Sequence, residues 1–105
     1  MKCTQHYFCY SDLQTNERQL QVLGRKITGK KDILKGFKLV EKKGFDAPFA
    51  VQSNNPVHKL EGTLYNISFV DLFHLDEYEE QFKTTRIKAE LRSGLMAWVY
   101  IDSLN

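Results

Sequence analysis

The chain has 105 residues, 42% of them hydrophobic and 12% aromatic, enough for one compact domain spanning 1–105 and too few for two ordinary ones. No run approaches the roughly 20 apolar residues of a membrane span, and the opening MKCTQHYFCY lacks the apolar stretch of a secretion signal, so a cytoplasmic protein with no membrane partner is expected. The net charge of +2 hides an asymmetry: eight bases and two acids lie between Arg25 and Lys43, and five acids without a Lys or Arg between Asp71 and Glu80.

In chain order, HYFCY (6–10) is short and aromatic and stops at Ser11-Asp12, the pattern of a strand running into a turn. Cys3 and Cys9 on such an extended segment stand roughly 20 Å apart. A disulfide needs Cα atoms within about 7 Å, so two reduced thiols are expected. His6, His58 and His74 are scattered, and neither cysteine has a partner at ligand spacing, which predicts no metal site. SDLQTNERQLQVLG then carries Leu13, Leu20 and Leu23 at loosely helical spacing and ends on Gly24, a natural residue just past a helix end.

The middle of the chain is punctuated by Gly24, Gly29, Gly36, Gly44 and Pro48, with short strand-like runs GFKLV and FAVQ between them. LEGTLYNI (60–67) reads as a strand in which Gly62 marks a bulge or a close backbone approach. Ser68 can cap a following helix, with Asp71 three residues on as the reciprocal partner and Ile67 stapling onto Leu72. TTRIKAEL alternates Ile87, Ala89 and Leu91 with polar neighbours, Ser93-Gly94 turns, and LMAWVYI returns as a buried arm, which is a β-hairpin. This order is not a βαβ alternation. It predicts an α+β protein: a mixed or antiparallel sheet curled into a small barrel and flanked by helices.

LDEYEEQF (75–82) packs four carboxylates into five residues after an apolar helix. At roughly 100° per residue the apolar arc holds Phe69, Val70, Leu72, Phe73 and Leu75, and Asp76, Glu77, Glu79 and Glu80 all fall in or near it. The wheel does not choose among them. It does place at least one carboxylate beside apolar side chains, where desolvation raises the pKa and makes a proton acceptor near neutral pH. A solvated acidic helix end is the plainer alternative.

Four pieces in order, HYFCYSDLQ, LKGFKLV, LEGTLYNIS and LFHLDEYEEQF with a hairpin ending AWVYI, resemble the γ-glutamylcyclotransferase-like superfamily, including its AIG2-like and γ-glutamylamine cyclotransferase branches. The resemblance spans nearly the whole chain. It implies a small mixed β-barrel flanked by helices, and conversion of a small-molecule γ-glutamyl amine or amide to 5-oxoproline and the freed amine without metal or cofactor. The glutamate of the family's Leu-Asp-x-x-Glu motif corresponds to Glu79, implied as general acid and base. Its Tyr-Gly-Ser/Thr-Leu turn corresponds to Tyr10, Ser11, Asp12 and Leu13, whose backbone N–H groups are implied to hold substrate.

Ser11, Asp12 and Glu80 stand where the family has Gly, Ser or Thr, and Gly. Phe82, on the substrate side, and Thr84 stand where many members have Tyr and Arg. If the family's glycine needs a positive φ, Ser11 carries strain on the order of 1 kcal/mol. Asp12 brings a negative charge towards a site for a substrate carboxylate. Two alternatives remain: a family member that binds a small ligand or protein partner without turnover, and a polyanion binder using the 25–43 run, whose lysines equally suit solvated strand edges. The second is disfavoured, so no nucleic-acid partner is expected.

Overall fold

A computed structural model describes residues 4–102. Cys3, half of the cysteine pair considered above, lies outside them. The elements are β1 (Thr4–Cys9), a 3-10 turn at Asp12–Gln14, α1 (Asn16–Leu23), β2 (Gly29–Lys35), β3 (Phe37–Val40), β4 (Phe49–Gln52), β5 (Lys59–Ser68), α2 (Phe69–Glu79), a second 3-10 turn at Glu80–Phe82, β6 (Thr84–Glu90) and β7 (Met96–Asp102). Five strands form one mixed sheet in the order β2-β5-β1-β7-β6, and β3 and β4 pair separately. β1 runs parallel to β7 with Tyr7 opposite Trp98, and antiparallel to β5 with Tyr7 opposite Tyr65.

The expected barrel takes a particular form. The ladder is not closed strand to strand, but the sheet curls until its two ends meet: Arg92 N–H donates to the Ile33 carbonyl at 2.8 Å, and the Ser93 hydroxyl to Asp32 at 2.6 Å. The concave face is filled by Phe8, Leu34, Phe37, Ala50, Leu60, Leu91, Ala97 and Val99, with the β3–β4 hairpin closing over it. The convex face packs Tyr7, Cys9, Tyr65, Ile67 and Tyr100 against Leu13, Leu23, Leu72 and Leu75 of the helical layer. Gly62 lies on β5 beside the end of β1, next to the Cys9–Thr63 pair; a Cβ there would stand 2.3 Å from the Cys9 carbonyl oxygen, so the strand-interior glycine marks a close approach.

α2 starts where the capping box predicts. The Ser68 hydroxyl accepts from Asp71 N–H at 3.1 Å, the Asp71 carboxylate accepts from Ser68 N–H at 3.0 Å, and Ile67 and Leu72 share the same core. Its apolar arc, however, is mostly outside: Phe69, Val70 and Phe73 are 61%, 63% and 58% exposed, and only Leu72 and Leu75 reach the core. The buried capping carboxylate of Asp71, paired with Arg25, fixes the helix in that rotation.

The first helical segment departs from expectation in a similar way. Thr15 interrupts it, capping α1 through its hydroxyl, and Leu20 is 48% exposed while Gln19 is buried. The Gln19 amide explains the inversion, since it donates to the Leu13 carbonyl at 2.8 Å and accepts from Ile27 N–H at 2.9 Å. A polar side chain here joins the 12–14 turn, α1 and the following loop. α1 ends on Gly24 in the left-handed region, as its position predicts.

Candidate active site

Because β1 and β7 are parallel, Tyr10, just past the end of β1, lies beside Tyr100 near the end of β7. The Tyr10 hydroxyl donates to the Tyr100 carbonyl at 2.7 Å and accepts from Ala50 N–H at 3.2 Å, tying the site end of the sheet to the hairpin. A cavity of about 50 Å³ opens at this end. Tyr10, Ser11 and Asp12 from the turn, Glu79 from the last turn of α2, Phe82, and Thr84 at the start of β6 all line it. No basic side chain among the described residues does.

Glu79 is partly buried, and burial pushes its carboxyl up from 4.5 to about 7. The Thr84 hydroxyl, donating to Glu79 Oε1 at 2.9 Å, works against that rise, while the negative charges of Asp12 and Asp76 add to it. The group therefore changes charge in the pH range where a general base is most useful. Asp76 is held by the fork of Arg86 at 3.0 and 3.1 Å and by the Tyr100 hydroxyl at 2.7 Å. The Glu77 side chain is 61% exposed, beside His74.

The turn differs from its sequence-based picture in three respects. Ser11 has φ −131°, ordinary extended backbone, so the missing glycine brings no left-handed strain. The Asp12 charge is partly compensated: its Oδ2 accepts from Arg18 Nε and from the Tyr78 hydroxyl, both at 2.9 Å. Leu13 does not line the cavity; the 3-10 turn directs its side chain into the helical core, leaving only its backbone for a substrate. A 3-10 turn starting at Asp12 gives its first amides no acceptor within the turn. The Ser11 amide already donates to the Cys9 thiol at 3.4 Å.

After the second 3-10 turn, Thr84 supplies the hydroxyl that meets Glu79, and Arg86, two residues further on, turns its fork to Asp76. Phe82 lies at the cavity mouth in an aromatic cluster, with ring centroids 5.3 Å from Tyr78, 6.0 Å from Phe45 and 6.4 Å from Phe49. Tyr78, Thr84, Arg86 and Tyr100 were not singled out as site residues from sequence. No spacing in the chain connects Tyr100 to Glu79; only the parallel β1–β7 pairing brings it there.

Residues 7–103 match the model of the family described as gamma-glutamyl cyclotransferase, AIG2-like. No curated protein matches the sequence. Among solved structures, a solution structure from Arabidopsis thaliana is similar with a TM-score of 0.81 at 19% identity, over 96% of this chain and 63% of that one. An AIG2-like protein from Mus musculus is similar with a TM-score of 0.78 at 16% identity, over 97% of this chain and 79% of that one. A protein named gamma-glutamyl cyclotransferase is similar with a TM-score of 0.70 at 17% identity, over 96% of this chain and 68% of that one. The present chain thus spans less than two thirds of the Arabidopsis protein, and at these identities the likeness is one of fold.

Proposed function

The chain belongs to the gamma-glutamyl cyclotransferase, AIG2-like family, and on that premise we propose that it cyclises a γ-glutamyl amine or small γ-glutamyl amide to 5-oxoproline, releasing the amine, with Glu79 as general base and acid. The substrate's α-amine attacks its own γ-carbonyl, so both reactants are already tethered at five-membered-ring distance. The new bond joins the α-nitrogen to the γ-carbon, and the bond from that carbon to the leaving nitrogen breaks. Glu79 takes one proton from the α-ammonium so that the amine can attack, and hands it to the leaving nitrogen; the attacking nitrogen then loses its second proton, which the departing amine takes up to leave as an ammonium, so no net proton is consumed. A positioned base of this kind contributes about 10²–10⁴-fold.

The first amides of the 12–14 turn, which have no acceptor within it, are the donors for the substrate's carboxylate and developing oxyanion. Asp12 is compatible with this role because Arg18 offsets part of its charge and Tyr78 holds its carboxylate by a hydrogen bond. The observation that carries the reading is that Glu79, with a carboxyl pushed up to about 7, shares one cavity with that turn. At about 50 Å³ the cavity is small, and Phe82, packed on Tyr78, lines it.

The same small volume favours one other reading, a family member that binds a small ligand without turning it over. Incubation with a panel of γ-glutamyl amines and dipeptides, followed by 5-oxoproline measurement, separates the two. Release from at least one member is expected. Binding of panel members with no release from any of them would favour the ligand binder.

A further inference from the structure

Two ion pairs built to the same plan lie near Glu79. The first holds Asp76, three residues earlier on α2 and so on the same helix face. Its carboxylate takes both arms of the Arg86 fork and the Tyr100 hydroxyl. The second holds Asp12, on the turn that lines the cavity with Glu79. Its carboxylate takes Arg18 Nε and the Tyr78 hydroxyl, and the Arg18 guanidinium also lies 5.6 Å from the centre of the Tyr78 ring. Each acid is therefore held by one guanidinium and one phenol, contributed by different elements of the fold.

We propose that Arg86–Asp76–Tyr100, on the helix face of Glu79, and Arg18–Asp12–Tyr78, on the turn that lines its cavity, are positioning groups that set the pH at which Glu79 passes from acid to base. The sign follows from Coulomb's law. A carboxylate beside Glu79 favours its protonated form, and the arginine behind each carboxylate cancels part of that field. With both arginines in place the field of the two carboxylates is partly cancelled; with either one missing, the uncompensated acid raises the pH at which Glu79 gives up its proton. The phenols keep each carboxylate in place without adding charge.

The other groups around Glu79 do not do this. From β1 and the residue after it come Tyr7, Cys9 and Tyr10, whose ionisations burial displaces upward, so that they stay neutral near pH 7. The β3–β4 loop and β4 contribute the uncharged Ala47, Pro48 and Phe49, and β6 contributes the Thr84 hydroxyl. On β7, Asp102 is paired with Lys42 at 2.8 Å. Glu80, next in the chain, is exposed.

The role as a tuner of catalysis rests on the proposed function, but the two pairs can be tested without substrate. The Glu79 side-chain carboxyl carbon is followed by NMR against pH at low ionic strength, where screening is weakest. Arg86→Gln is expected to raise the midpoint by about half a pH unit or more, and Asp76→Asn to lower it by a similar amount. Arg86→Lys, which keeps the charge and loses the fork, is expected to stay close to the unaltered protein, and Asp76→Asn/Arg86→Gln to move less than either single change. Arg18→Gln is expected to raise the midpoint as Arg86→Gln does.

These side chains are partly exposed, so the folded state is expected to survive each change, and the amide spectrum verifies it. Midpoints that stay put in Arg86→Gln, Arg18→Gln and Asp76→Asn would overturn the proposal. Shifted midpoints together with absent 5-oxoproline release would uphold the effect of the pairs on Glu79 and count against the proposed function alone. Where turnover is present, the acidic limb of its pH–rate profile is expected to move with the NMR midpoint.

Discussion

Burying the Glu79 carboxylate carries a cost. Its folded value of about 7 lies above the 4.5 of an ordinary glutamate, so between those values the native state binds more protons than the unfolded chain. Stability contributed by this group is therefore present at low pH and lost as pH rises towards 7, the reverse of a salt-bridged acid. Glu79→Gln is expected to abolish this slope and to be more stable than the unaltered protein at pH 8, by up to about 3 kcal/mol, in urea unfolding at pH 5 and pH 8. Parallel pH dependences for the two proteins would contradict the burial of the charge. For the proposed turnover the sign is opposite: with the Glu79 carboxylate as the proposed base, kcat/KM is expected to rise with pH through a midpoint near 7. Glu79 could be picked from the acidic run only through its family motif, because the helical wheel admits all four acids and the partners that distinguish this one, Thr84 and Asp12, come from other elements.

At the scale of elements, two buried arrangements hold the site turn in place, and each can be removed singly. Gln19→Leu keeps the side-chain volume but strands the Leu13 carbonyl and the Ile27 N–H in the core, at about 1–3 kcal/mol for each unpaired group. Urea unfolding is expected to show that loss, and a near-neutral result would mean that the turn is held otherwise. Gly62→Ala places a methyl group 2.3 Å from the Cys9 carbonyl and 2.7 Å from Phe8 Cζ, so β5 must move away from β1. Overpacking of this kind costs about 1–3 kcal/mol, read as a lowered Tm. The Gly62 approach, the capping box and the final hairpin were legible because each is a local pattern with a local cause. β2 was not seen as a strand, because Gly29 and three lysines break up its apolar content. The buried faces of α1 and α2 were misassigned because a wheel ranks side chains by hydrophobicity alone, whereas Gln19 and Asp71 face inward to satisfy backbone groups and Arg25.

At the scale of the molecule, the α+β class and the curled sheet followed from element order, but the meeting of distant elements at one end did not. β1, the 12–14 turn, α2, β6 and β7 all contribute to the cavity, and only the parallel β1–β7 pair explains why they converge. Among the described residues no helix is long and apolar enough to cross a membrane. Within the basic 25–43 run Arg25 is paired with Asp71 and Lys42 with Asp102, while Lys26, Lys30, Lys31, Lys35, Lys38 and Lys43 are exposed. Retention on immobilised nucleic acid is expected to be lost by about 0.15 M salt, and strong retention there would restore the polyanion reading. The central claim is that one carboxylate in this assembled site moves the proton of cyclisation. It is tested most directly by 5-oxoproline release from the best γ-glutamyl amine by the unaltered protein and by Glu79→Gln at pH 8. A fall of at least about 10²-fold in kcat with the folded state retained is expected; turnover by Glu79→Gln equal to that of the unaltered protein would rule Glu79 out as the base.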